Sequence, residues 1–133
     1  MKISYLIDTD WVINHLNKVD KVTQKLKELR PAGIALSVIS LAELYEGVYY
    51  SKDPGTSQKI LDTFLRDFQV LGVDEEVCKV FGKERGKLRQ KRKIVSDFDL
   101  LIASTCLYYN LTLLTNNRRH YELVEGLNIL SLA

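Results

Sequence analysis

Apolar positions along the chain follow two rhythms that alternate. Short, mostly aliphatic runs at Ile3 to Ile7, Ile34 to Leu36, Phe68 to Val73, Leu111 to Leu114 and Asn128 to Leu132 predict strands. Helical patterns separate them, over residues 10–17, 20–29, about 57–67 and 75–90. Two more helices begin at residues able to cap them: Ser37 or Ser40 opens one that runs to about Tyr50, and Ser96 or Asp97 opens one to about Tyr109. Pro31 and Gly33 mark a break, Asp53-Pro54-Gly55 is a turn, and Gly82 and Gly86 weaken the helix that contains them. Strands that are apolar on both faces and alternate with helices form parallel sheets covered on both sides. The expected fold is therefore a three-layer α/β/α sandwich around a central, mainly parallel sheet of four to five strands, built as one domain over residues 1–133.

Composition agrees with that reading. Of the 133 residues, 46% are hydrophobic, enough for one core. No apolar run approaches the roughly 20 residues that span a bilayer, and the apolar stretch of MKISYLIDTD is too short for a secretory signal. The expected location is the cytoplasm. Cys78 and Cys106 lie in helical patterns with no CxxC or Cys/His partner, and are expected to be reduced packing residues. The net charge of +2 conceals a split, because Lys83 to Lys93 (KERGKLRQKRK) holds seven basic residues and one acid, which leaves the rest of the chain at −4. A polyanionic partner would favour such asymmetry, with Lys87, Arg89, Lys91, Arg92 and Lys93 as candidate phosphate contacts.

Candidate chemistry collects at the edges of these elements. Asp8 ends the first strand, and the carboxyl edge of a parallel sheet is where ligands bind. Glu43 lies near the start of a helix, Asp97 and Asp99 open another, and Thr115 and Asn117 follow a late strand. Three or four such oxygens brought together repel one another unless cations lie between them, and oxygen donors suit Mg²⁺ or Mn²⁺ better than zinc. Each acid also has a local explanation. Ser40-Leu41-Ala42-Glu43 fits a capping box, Ser96-Asp97-Phe98-Asp99 resembles one, and Asp8 and Asn117 could be turn or cap residues. His15 and His120 have no partner at ligand spacing, and no role is assigned to either.

Four segments, LIDTDWVI, SLAELYEGV, DLLIAS and LTLLTNNRRHYELVEGLNIL, together resemble the PIN-domain ribonucleases, and within them the VapC-type toxins of toxin–antitoxin pairs. They are spread over essentially the whole chain in the family's order. The resemblance implies that Asp8, Glu43 and Asp99 are metal-binding catalytic acids, that Asn117 takes a fourth place more often held by Asp, and that Thr115 steadies the cluster. Asn at 117 removes one charge, which Asp97 could restore. Two further departures are Asp10, where Asn is frequent, and His120-Tyr121, where an acid and Phe are more usual. The implied partners are an RNA substrate and a cognate antitoxin, in a homodimer or a toxin–antitoxin hetero-oligomer. Leu41, Leu44, Tyr45, Val48 and Tyr49 offer apolar surface for such a partner or for the core.

The activity so implied is metal-dependent hydrolysis of RNA phosphodiesters, leaving a 5′-phosphate and a 3′-hydroxyl. Asp8 and Asp99 would hold the ion, Glu43 would bind it or act as base, and Asn117 would orient water. Two other readings compete. One is a nucleic-acid-binding module without catalysis, in which the acids are caps. The other is a haloacid dehalogenase-like aspartyl phosphatase, since Asp8-Thr9-Asp10-Trp11-Val12 fits a DxDxV nucleophile arrangement.

Overall fold

The computed structural model describes residues 2–132. Its elements run β1 Tyr5–Ile7, α1 Thr9–Leu16, α2 Asp20–Leu29, a 3₁₀ turn Arg30–Ala32, β2 Ile34–Ser37, α3 Val38–Tyr49, α4 Pro54–Leu65, β3 Gln69–Leu71, α5 Glu75–Gln90, α6 Asp97–Tyr109, β4 Thr112–Leu114, α7 Arg118–Tyr121 and β5 Asn128–Leu130. The five strands form one sheet in the order β3-β2-β1-β4-β5, and every pairing is parallel. β1 is central. The chain builds outward on one side through β2 and β3, then crosses to the other side for β4 and β5, so the direction of winding reverses beside β1.

Strand alternation divides the core into two layers. Leu6, Ala35 and Leu113 stand in register and face Leu88 of α5, Leu100, Ile102, Ala103 and Cys106 of α6, and Tyr121 of α7. Their neighbours Ile7, Leu36 and Leu114 face the opposite way, onto Trp11 and Val12 of α1, Val22 and Leu26 of α2, Leu44 and Val48 of α3, and Leu61 and Phe64 of α4. Successive residues of one strand thus serve different layers, the period-2 geometry of a pleated strand. Helices α1–α4 cover one face and α5–α7 the other, which gives the expected sandwich. Gly33 adopts φ +89° between the 3₁₀ turn and β2, and a Cβ there would lie 2.2 Å from the Lys2 carbonyl oxygen. Only glycine lets these backbones approach so closely.

Several details depart from expectation. Helix α3 is capped by Ser37, whose hydroxyl accepts from the Ile39 amide at 3.0 Å, and not by Ser40. Ser40 is fully buried inside the helix, so Glu43 lies in the second turn and cannot complete a capping box with it. Helix α5 has the expected limits and runs unbroken through Gly82 and Gly86, whose missing side chains would project into open space. Packing of Val77 and Leu88 outweighs the propensity cost, about 1 kcal/mol for each glycine. Cys106 is buried as expected, but Cys78 is exposed. On α3, Leu44 and Val48 are core, Leu41 and Tyr45 pack against it, and Tyr49 alone of that group projects outward at 70% exposure.

Candidate active site

Helix α1 begins where β1 ends, and Asp8 stands at the junction. Its carboxylate caps the helix by accepting from the Thr9 amide at 2.9 Å, so its position is dictated by local backbone chemistry. Its second oxygen accepts the Thr115 hydroxyl at 2.8 Å, and its own amide donates to the Leu114 carbonyl at 3.0 Å. The carboxyl ends of β1 and β4 are thereby joined.

Asp10, in the first turn of α1, reaches the same segment. It accepts from the Asn116 amide at 2.9 Å and lies 3.2 Å from the Thr115 hydroxyl, while Trp11 donates its indole N–H to the Asn116 side chain at 3.1 Å. The Asn117 amide closes the turn on the Thr115 hydroxyl at 3.1 Å. Thr115 is fully buried and engages three neighbours with one hydroxyl.

Asp99 arrives from the other layer. Ser96 caps α6 by accepting the Asp99 amide at 3.3 Å, so the backbone half of the expected capping box is present. The Asp99 side chain does not turn back to complete it. Instead Oδ1 accepts the Tyr121 hydroxyl and Oδ2 meets His120 Nδ1, each at 3.3 Å. Glu43 enters from α3, with Oε1 accepting the Thr9 hydroxyl at 2.9 Å. Asp8, Glu43, Asp99 and Asn117 line one cleft of about 440 Å³, together with Thr9, Asp10, Ser96, Asp97, Phe98 and His120.

Electrostatics in the cleft are set by how little solvent reaches its floor. Asp8 is only 4% exposed, and its pKa is pushed up to about 6. Burial is the main cause and the Asp10 charge adds to it, while the Thr115, Thr9 and Tyr121 hydrogen bonds pull the other way. The Tyr121 hydroxyl is held far above the ordinary phenol range by burial and by the charges of Asp8 and Asp99, so it is a permanent donor.

The PIN-domain family profile matches residues 5–126 of this chain. The chain belongs to the PIN-domain family. Over 125 residues it is 35% identical to Ribonuclease VapC2 of Rickettsia felis, covering 92% of this chain and 93% of that one. It is 31% identical over 126 residues to Ribonuclease VapC1 of Methanocaldococcus jannaschii, covering 93% and 85%. The crystal structure of VapBC2 from Rickettsia felis bound to a DNA fragment from their promoter contains a chain that superposes with a TM-score of 0.92 at 32% identity, covering 98% of this chain and 100% of that one. Membership of the PIN-domain family removes the haloacid dehalogenase-like reading.

Within this PIN domain the structure sorts the predicted residues. Asp8, Glu43, Asp99 and Asn117 converge on one cleft from α1, α3, α6 and the β4–α7 turn, and Thr115 ties Asp8 to that turn. Asp97 lines the same cleft but is paired with Arg85 at 2.8 Å, and Arg85 also donates to the Val95 carbonyl. Its charge is answered by a fixed guanidinium, which disfavours a role as an extra metal acid. In the basic segment, Lys87 is paired with Glu84 and Glu125, and Lys91 with Glu125. Arg89, Arg92 and Lys93 are exposed and form no ion pair among the described residues. Sequence reasoning missed His120 and Tyr121. Their one signal was the departure from the family's usual pair, and nothing local showed that both would meet Asp99.

The donor set suits a hard divalent cation: it is all oxygen apart from His120, and it contains a buried carboxylate whose charge is opposed by burial. Among the described residues no three acidic, histidine or cysteine side chains are gathered tightly enough to hold an ion directly.

Proposed function

We propose that this PIN domain is a divalent-metal-dependent endoribonuclease and the toxin of a toxin–antitoxin pair. The observation that carries the reading is the convergence of Asp8, Glu43 and Asp99, distant in sequence, on one cleft at the carboxyl edge of a parallel sheet. Identity of 35% to Ribonuclease VapC2 over nearly the full length of both chains supports it.

Asp8 and Asp99 would hold a Mg²⁺ or Mn²⁺ ion. When bound, such an ion neutralises the scissile phosphate and lowers the pKa of water. Glu43 would take the proton of the attacking water, with the Thr9 hydroxyl orienting its carboxylate. Asn117, exposed on the β4–α7 turn, would hold that water by its side-chain amide. Thr115 and Asp10 would keep the turn in place. Hydrolysis leaves the phosphate on the 5′ end and a hydroxyl on the 3′ end, without using the RNA 2′-hydroxyl.

A two-protein complex has been solved for the Rickettsia felis VapBC2 pair. By that likeness the partner of this chain would be a small antitoxin, and its assembly a homodimer or a toxin–antitoxin hetero-oligomer. Among the described residues no helix is long and apolar enough to cross a membrane. The proposed site of action is the cytoplasm, where the RNA is.

Purified protein should cut a cellular RNA pool at few sites in Mg²⁺ or Mn²⁺, and not in EDTA. Asp8→Asn and Asp99→Asn should each lower turnover by at least about a hundredfold, since each removes a charge that holds the ion. Sequencing the new 5′ ends would locate the cuts. RNA binding that is indifferent to EDTA and to both substitutions, with no cleavage, would replace this reading with a non-catalytic module.

A further inference from the structure

Tyr121 is 1% exposed and packs in the core layer beneath α6, beside Cys106 and Val124. A phenylalanine would fill that space equally well, so apolar packing does not account for the hydroxyl. A buried tyrosine hydroxyl needs a partner, and here it donates to Asp99 Oδ1 at 3.3 Å, with Asp8 near enough for its charge to act on the phenol as well. Asp99 is one of the two carboxylates to which metal binding is assigned above. The neighbouring His120 occupies the other Asp99 oxygen, at 3.3 Å, so both oxygens of that carboxylate are engaged from the short helix α7.

We infer that Tyr121 is a positioning residue for metal binding: its buried hydroxyl sets the orientation of the Asp99 carboxylate. The inference rests on the metal-site reading above. A carboxylate free to rotate presents either oxygen in several directions, whereas one held by a donor from a rigid, buried ring presents its remaining lone pairs in one direction. Outer partners of this kind commonly change metal affinity by about 10- to 100-fold when removed. Asp8 is already fixed by Thr9 and Thr115, so the loss should fall on Asp99.

The test is binding of Mn²⁺ to the full chain without RNA, by calorimetry or electron paramagnetic resonance, for the parent and for Tyr121→Phe. The substitution should preserve circular dichroism and the melting temperature, weaken Mn²⁺ binding about tenfold or more, and lower kcat on RNA while leaving KM for RNA unchanged. Placing p-aminophenylalanine at position 121 restores a donor at the same point and should recover much of the lost affinity, including if Tyr121→Phe proves less stable. Parental Mn²⁺ affinity in Tyr121→Phe, or a loss that the amino analogue fails to rescue, would overturn the inference and leave the metal site standing. A parent that binds no Mn²⁺ would overturn both.

Discussion

At the scale of single residues, Asp8 shows how one side chain serves structure and chemistry in opposite senses. Its cap on α1 and its bond to Thr115 stabilise the fold, yet burial pushes its pKa up to about 6 from an ordinary aspartate value near 4. A raised carboxyl pKa means that the folded chain binds more protons than the unfolded chain between these values. Stability of the metal-free protein therefore falls as pH rises from about 4 through 6, by up to about 3 kcal/mol from this group alone. Asp8→Asn should thus make the metal-free protein about 1–2 kcal/mol more stable at pH 7.5, and nearly equal to the parent at pH 4.5, in urea titrations. Equal stability at both pH values would remove the idea that Asp8 is held at a cost. Mg²⁺ should stabilise the parent and not the variant, by linkage to binding.

At the scale of elements, caps decide which way the acids face. Ser96 and Asp99 satisfy the sequence pattern of a capping box, but the Asp99 carboxylate is drawn away by Tyr121 and His120, residues of α7 that the same pattern does not mention. Ser37 and Ser40 were equally plausible starts for α3 because the sequence shows two serines before an apolar helical pattern. Chain direction at the end of β2 favours Ser37, leaving Ser40 Oγ as the one buried side-chain polar atom without a hydrogen-bond partner among the described residues. Ser37→Ala should cost about 1 kcal/mol, whereas Ser40→Ala should be neutral or slightly stabilising. Thermal and urea unfolding of the two variants would separate them, and equal losses would refute the assignment of the cap.

For the whole molecule, the sheet order places the ends of β1 and β4 side by side at the point where winding reverses, and acids from both helical layers meet there. The surface charge is less simple than its sequence. Lys87 and Lys91 are neutralised by Glu84 and Glu125 and Arg85 by Asp97, so the free positive charge of the segment lies at Lys83, Arg89, Arg92 and Lys93. With Asp99→Asn as background, the combined change Arg89→Gln, Arg92→Gln and Lys93→Gln should flatten the salt dependence of RNA binding by about 2 logarithmic units per logarithm of salt. Lys87→Gln with Lys91→Gln should alter it far less. An unchanged slope in the triple variant would mean that RNA does not touch this segment.

Hydrophobic periodicity, with the caps and turns that bound it, marked the strands in chain order and six of the seven helices but not α7, because alternation and helical spacing are local and the core layers enforce them. It also marked Asp8, Glu43, Asp99 and Asn117, through acids and an amide placed at element edges and a resemblance spread over the whole chain. Only the tertiary structure decided what each contacts. Asp97 met Arg85, Lys91 met Glu125, and Tyr121 met Asp99 across 12, 34 and 22 residues of chain. Such pairings depend on which helices share a face of the sheet and on where a side chain can reach within it. No short-range pattern encodes that geometry, and the fold sets it by joining the ends of β1, β4 and α6 at one cleft.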